Sequence, residues 1–301
     1  MKTNFSEIVD LTAIGRHNPI KNNDIFTKAL SENLNPASTD KQRVLFIGID
    51  FQNDFLEKGE LAVPNSHQDV ENTLQFLYKN MEKITSIAIS LDTHNPQQIF
   101  HPSWWIDQDG NHPEAYTIIS EDDIKTGTWT AVNHQEESLE YVHQLEQQGR
   151  MKLCIWPFHC IEGTFGAALE GQFSNMIHFH SIAKQSPIHK IVKGKDPLSE
   201  MYGIIKPEYD KNNDVNIELL EMLKGYDKII FAGEAKSHCV LESLRQILEY
   251  FKEDVSLTSR IYLLDDCMSS IPGFEEATEK ALNEFKSLYN INIVNSQEMA
   301  L

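Results

Sequence analysis

Val44-Leu45-Phe46-Ile47-Gly48-Ile49-Asp50 is an apolar run that stops on an acid. Two other runs end in a similar way. His189-Lys190-Ile191-Val192-Lys193-Gly194-Lys195 carries Lys193, and Lys228-Ile229-Ile230-Phe231-Ala232-Gly233 leads through Glu234-Ala235-Lys236-Ser237-His238 to Cys239. Near-continuous apolar runs mark buried parallel strands, and open parallel sheets build their sites outside the carboxyl ends of strands. Three residues far apart in sequence are therefore expected at one edge. Together they supply a base, a cation and a nucleophile, the parts of covalent acyl transfer.

The pattern continues outward. Strands are expected at 84–90, 152–156, 190–193, 229–232, 261–264 and 291–294. Helices are expected at 70–81, 165–173, 215–223, 239–251 and 275–288. Strands alternating with helices predict an α/β fold, a three-layer α/β/α arrangement with a mainly parallel sheet. Residues 1–40 read as an N-terminal extension with one helical stretch over 24–34, and 41–301 as the main domain. Within it, 106–150 holds ten carboxylates against Lys125 and Arg150. Leu139, Val142 and Leu145 recur there at helical spacing. This segment is expected to be an insertion at the sheet edge, packed on the pocket rim as a lid.

The 301 residues are 41% hydrophobic, enough for a sizeable core. No window reaches the ~20 apolar residues of a membrane span, and residues 1–18 lack the apolar run of a signal peptide. A soluble, cytoplasmic protein is expected. Lys+Arg is 26 and Asp+Glu 45, so the net charge is 26 − 45 = −19. Such a surface repels nucleic acid and anionic membrane. No two of the four cysteines form a CxxC pair, which argues against a zinc knuckle or a redox dithiol. A homo-oligomer is compatible with the sequence.

Cys239 is the candidate nucleophile, because a thiol at a helix N-terminus is expected to have a lowered pKa. Cys154, Cys160 and Cys267 read as small buried hydrophobes. Asp50 can take the thiol proton and return it to a leaving amine. Asn53 and Asp54, just after it, fit turn caps equally well. Lys193 can pair with Asp50 and the thiolate, or be an ordinary surface lysine. Asp92-Thr93-His94 follows a strand and projects two donors to one side. With His159, and more weakly His101, it makes a carboxylate–histidine set suited to a divalent metal such as zinc, iron or manganese. Among 12 histidines, chance pairs and structural hydrogen bonding compete with that reading. Phe55, Trp104, Trp105 and Trp156 offer flat walls for a planar ligand, or core packing, which suits Trp104 and Trp105 better.

Five motifs in order resemble the isochorismatase-like cysteine hydrolases, within them the nicotinamidase/pyrazinamidase branch. They are the run from Asp50 to Phe55, Asp92-x-His94, Trp156 to Gly166, Lys193-Gly194, and Gly233 to Val240. The resemblance covers about residues 43–295. It implies a Rossmann-like hydrolase fold, a catalytic Asp50, Lys193 and Cys239, and metal ligands at Asp92, His94 and His159, with His101 a weaker transfer. It also implies a cis peptide before Ala235, an oxyanion hole from the Ala235 and Cys239 amides, and Phe55 and Trp156 flanking a pyridine ring. Where the family often has Thr-Asp, this chain has Lys236-Ser237. The activity implied is hydrolysis of a small amide, nicotinamide to nicotinate and ammonia. Two alternatives are a same-fold hydrolase of an N-carbamoyl compound and a binding or scaffold protein without activity.

Overall fold

Six strands lie side by side and all run parallel in the computed structural model, which describes residues 1–149 and 152–301. Arg150, counted in the acidic segment, and Met151 lie outside the described residues. In chain order the strands are β1 (Val44–Ile49), β2 (Ser86–Asp92), β3 (Trp105–Ile106), β4 (Ile118–Ile119), β5 (Thr130–Ala131), β6 (Leu153–Cys154), β7 (His189–Lys193), β8 (Lys228–Gly233), β9 (Ile261–Leu264) and β10 (Asn292–Val294). The α-helices are α1 (Asn22–Leu30), α2 (Ser66–Lys79), α3 (Glu121–Lys125), α4 (Gln135–Gln148), α5 (Gly171–Ala183), α6 (Ile217–Leu223), α7 (Leu241–Tyr250), α8 (Val255–Thr258) and α9 (Glu275–Tyr289).

The sheet order is β10-β9-β8-β1-β2-β7. From β1 the chain first winds one way to β2 and β7, then returns to β8 and winds the other way. The reversal leaves a crevice at the carboxyl ends of β1 and β8, the usual place for a site in an open parallel sheet. Asp50 follows β1, and Cys239 follows β8. Register matters here: Asp92 of β2 stands opposite Lys193 of β7.

Alternation along β1 feeds two cores. Val44 and Phe46 join one buried cluster with α1, α2 and α5; Leu45, Ile47 and Ile49 join another with α6, α7 and α9. A run buried on both faces is what its unbroken apolar sequence demanded. Ile8, Val9, Ile14, Ile25 and Ala29 of the first 40 residues are buried in the first of these clusters. Each of these isoleucine and valine side chains is worth roughly 1.5–3 kcal/mol when fully buried, and the alanine less. Among the described residues, no helix is long and apolar enough to cross a membrane.

Several expected elements moved. The 152–156 strand is not in the main sheet: β6 pairs antiparallel with β4 of the acidic segment. The helix expected at 165–173 begins at Gly171 instead, capped by the Glu170 carboxylate on the Phe173 amide. The reason lies in 165–168, whose carbonyls are taken by the run after β1. Asn53 N–H donates to Ala168 O at 3.0 Å, Asp54 N–H to Gly166 O at 3.0 Å, and Gln52 Nε2 to Ala167 O at 2.8 Å. The 24–34 helix stops at Leu30, and Glu32 turns back to accept the Thr3 amide at 2.7 Å. The helix expected from Cys239 is preceded by a π-type turn, Lys236–Val240, that carries the cysteine, and α7 proper starts at Leu241.

Candidate active site

The three strand-end residues meet. Lys193 Nζ lies 2.9 Å from Asp50 Oδ2, 3.2 Å from Asp92 Oδ1 and 3.7 Å from Cys239 Sγ. Side-chain atoms of Asp50, Asp92 and Cys239 fall within 4.8 Å of one another. All four residues are buried, so the surface-lysine reading of Lys193 fails. The ammonium occupies the centre of this acid–thiol group, which makes it an ion-pair site rather than a metal site. Its fourth contact is a hydrogen bond to Met201 O at 3.2 Å.

Local backbone sets these positions. Asp50 sits at φ 45, left-handed, a conformation that Asp tolerates better than most residues. Its Oδ1 accepts from Ser90 Oγ at 2.5 Å, and its amide donates to the same oxygen at 3.0 Å. Gly233, at φ 130, brings β8 so close to β1 that a Cβ there would meet Ile49 O at 2.0 Å. Gln52 clamps β2: its Nε2 donates to Asp92 O and its Oε1 accepts the Asp92 amide, both at 2.7 Å. Asp54 accepts the Cys160 amide at 2.6 Å, and Asn53 Nδ2 donates to Phe165 O at 2.9 Å. Both bonds reach distant loops, so these two residues act as tertiary ties rather than as the local turn caps that the sequence suggested.

One cation serves two carboxylates, and their surroundings separate them. Burial pushes the Asp92 carboxyl up, but its neighbours His94 and Lys193 outweigh it and hold the group well below the ordinary range. For Asp50 burial wins; Lys193 opposes it, the Asp92 charge adds to it, and the carboxyl ends above its usual value. Burial alone would lower Lys193, yet Asp50 and Asp92 keep it well above the normal lysine range. Burial also raises the Cys239 thiol well above its ordinary value; Lys193 pulls it down, less strongly than burial and the two carboxylates push. This corrects the expectation from helix position: the resting group is a thiol, because burial beside two acids outweighs a dipole and a single lysine.

Beside this group lies the histidine cluster. His94 Nε2 is 3.0 Å and His159 Nε2 3.8 Å from Asp92 Oδ2. His94 Nδ1–H donates to Gly194 O at 3.0 Å, and His159 Nδ1–H to Pro157 O at 2.8 Å. Each carbonyl fixes the tautomer that leaves Nε2 as an acceptor, as ligating histidines require. Ligand atoms of Asp92, His94 and His159 lie within 4.8 Å of one another. Gly194, at φ 75, is needed because a Cβ would meet Asp92 Oδ1 and His94 Cε1 at 2.5 Å. This N₂O donor set fits a divalent cation with positions left open. His101 stands alongside, its ring centroid 5.9 Å from both His94 and His159, outside the set of three. Its Nδ1–H donates to Asn95 O at 3.1 Å, while its buried Nε2 has no hydrogen-bond partner among the described residues.

A pocket opens onto both groups. Phe55, Trp156, His159, Ala235, His238 and Cys239 contribute to its wall, with Glu200 and Tyr202 at one side. The Glu234–Ala235 peptide is cis. Trp104 and Trp105, by contrast, are buried away from the pocket lining: their ring nitrogens donate to Ser138 Oγ at 3.0 Å and Ile99 O at 2.6 Å.

The sequence reading missed Ser90, Gln52, Glu200, Tyr202 and Tyr141. The last three form one network. Trp156 Nε1 donates to Glu200 Oε1 at 2.8 Å, Tyr202 OH donates to the same oxygen, and Tyr141 OH donates to Oε2 at 3.1 Å. Burial pushes the Glu200 carboxyl up to about 7 against these three donors. Tyr141 belongs to α4, inside the acidic segment, and packs with Val142, Leu145, Phe55 and Trp156 in a third buried cluster. Nothing in local sequence marks a glutamate in Leu198-Ser199-Glu200-Met201 for this place.

No family model matches the sequence, and no curated protein sequence matches it. Solved structures do match. The yeast nicotinamidase bound to the inhibitor nicotinaldehyde is 19% identical and aligns over 84% of this chain and 99% of its own, at a TM-score of 0.57. A nicotinamidase/pyrazinamidase of Acinetobacter baumanii is 15% identical over 87% of this chain and 100% of its own, also at 0.57. An L. infantum protein crystallised with nicotinate is 16% identical over 89% and 98%, at 0.52.

The chain has the nicotinamidase fold, that of the isochorismatase-like hydrolases.

At these identities the likeness speaks for the fold.

Proposed function

We propose that this chain is a metal-assisted cysteine amidase that hydrolyses a small planar carboxamide, nicotinamide in the first instance, to the carboxylate and ammonia. The observation that carries this reading is the buried ammonium of Lys193 held between Asp50, Asp92 and the Cys239 thiol at the mouth of an aromatic pocket. That the structural neighbours include proteins holding nicotinaldehyde and nicotinate supports the choice of substrate.

In this reading Asp50 takes the proton from Cys239 as the thiolate attacks the carboxamide carbon. A carboxyl raised toward neutrality is a better base than an ordinary one. Lys193 balances the negative charge that the pair would otherwise concentrate in a dry site. The carbonyl oxygen becomes an oxyanion facing the Ala235 and Cys239 amides; among the described residues no protein acceptor takes the Ala235 N–H. Asp50 returns the proton to nitrogen, ammonia leaves, and a thioester remains. The same carboxylate then takes a proton from water, which attacks the thioester and releases the acid and the thiol. Asp92, His94 and His159 would hold a divalent cation, which supplies a Lewis-acid anchor for a ring nitrogen. Phe55 and Trp156 flank the ring, and the α3–α4 segment acts as a specificity lid through Tyr141 and Glu200.

Ammonia release from a panel of amides tests this reading. Nicotinamide, pyrazinamide, N-carbamoyl compounds and acidic amides should be included. Turnover of the neutral aromatic amides supports it; preference for N-carbamoyl compounds would move the substrate within the same chemistry, and no release from any would leave a binding protein.

A further inference from the structure

Behind the Ala235 amide lies a pair of buried carboxyls that the chemistry above does not use. Glu234 is fully buried at the end of β8, and Asp69 of α2 is 5% exposed. Their side chains are within hydrogen-bond reach of each other. Among the described residues, no protein donor reaches Glu234 Oε1 or Asp69 Oδ2. The Ser269 amide donates to Glu234 Oε2 at 3.3 Å, and Ser269 O accepts the Lys236 amide at 2.8 Å. Ser269 thus holds both the Glu234 carboxyl and the Lys236 amide, and Glu234 ties that grip to α2.

The charged surroundings do not neutralise the pair. Asp266 adds to the negative field. Lys236 is the nearby cation, but its Nζ is taken by Asp265 at 2.8 Å and Glu279 of α9 at 2.5 Å. The Cys267 thiol, raised by burial to about 12, stays neutral. Two carboxylates in contact without a donor between them repel, whereas one proton satisfies both.

We propose that Asp69 and Glu234 share one proton, and that this bridge is a positioning device holding residues 234–236, and through them the Ala235 amide, where the reaction needs them. The positioning role rests on the amidase reading; the shared proton does not. Burial pushes Glu234 well above the ordinary carboxyl range, with the Asp69 charge adding to the rise, and lifts Asp69 to about 6. Unfolded carboxyls titrate near 4. The folded chain therefore keeps a proton that the unfolded chain has released, so its contribution to stability is complete below that value and is lost as pH rises through the folded values.

The test uses the intact protein as wild type, E234Q, D69N and E234A. Tm is followed over about pH 5–9, where the bridge should titrate. The wild type should lose Tm relative to E234Q and D69N as pH rises, since an amide–carboxylate pair has no shared proton to lose. In parallel, kcat of E234A should fall about 10-fold or more with KM nearly constant, a loss confined to the transition state. E234Q should restore most of that kcat and keep it to higher pH than wild type. If E234A does not fold, the E234Q pH profile makes the same decision. A Tm difference that is flat with pH overturns the shared proton. Superimposable kcat profiles for wild type and E234Q overturn the positioning role. Absence of ammonia release from every amide would sink the amidase reading and the positioning role together, while the Tm comparison still decides the proton.

Discussion

Lys193 Nζ sits 2.9 Å from Asp50 Oδ2, and neither side chain touches water. Removing one partner of such a pair strands the other charge. Lys193→Met should cost roughly 3–5 kcal/mol of stability, because two buried carboxylates lose their common cation. Urea unfolding measures this, and activity should vanish in the same variant. A Lys193→Met protein with wild-type stability would mean that the acids around it are neutral and that the charge arrangement described above is wrong.

Asp92, His94 and His159 should bind about one divalent ion per chain in protein purified without chelator or affinity tag. Elemental analysis checks this, and His94→Ala or His159→Ala should lose the ion. His101→Ala should retain more of it, since that ring stands outside the set of three. A metal-free protein with full activity would remove the ion from the account.

Tyr141→Phe deletes the hydroxyl that the acidic segment gives to Glu200. One buried acceptor then lacks a donor, a loss of about 1–3 kcal/mol. Because Glu200 also holds Trp156 and Tyr202, the ratio of kcat/KM values for neutral and acidic amides should change as well. Lower stability with an unchanged ratio would make the segment structural and not a lid.

His180 of α5 is buried and kept neutral. Burial lowers it to about 4, and its Nε2–H donates to Ile84 O at 2.8 Å. Its folded value lies below the unfolded value near 6.5, so the stability it contributes is present above pH 6.5 and is lost as pH falls toward 4. The full swing is about 3 kcal/mol. His180→Gln, which can still donate to Ile84, should flatten stability in that window. An identical pH dependence in the variant would assign the acid loss to other groups.

What the sequence made legible depended on how locally each signal was encoded. The β1 run and the β8 run declared buried strands by composition alone, and their ends placed Asp50 and Cys239. Lys193 was read through its strand although its burial was not. By contrast, 165–169 looked helical, but its carbonyls are engaged by Gln52, Asn53 and Asp54, a tertiary demand that no propensity records. The strand at 152–156 was placed in the wrong sheet because two-residue pairings such as β4–β6 carry almost no pattern. Glu200 was invisible for a similar reason: its three partners come from residues 141, 156 and 202. The resting thiol was misjudged because a dipole can be read from helix position, whereas two neighbouring acids can be seen only in three dimensions.

The most direct measurement is ammonia release from nicotinamide by wild-type protein and by Cys239→Ala under identical conditions. Wild type should release ammonia, and Cys239→Ala should be slower by at least about 10³-fold while unfolding at a similar urea concentration. Activity of Cys239→Ala within about tenfold of wild type, a difference of only ~1.4 kcal/mol in the barrier, would contradict the covalent mechanism and with it the central claim.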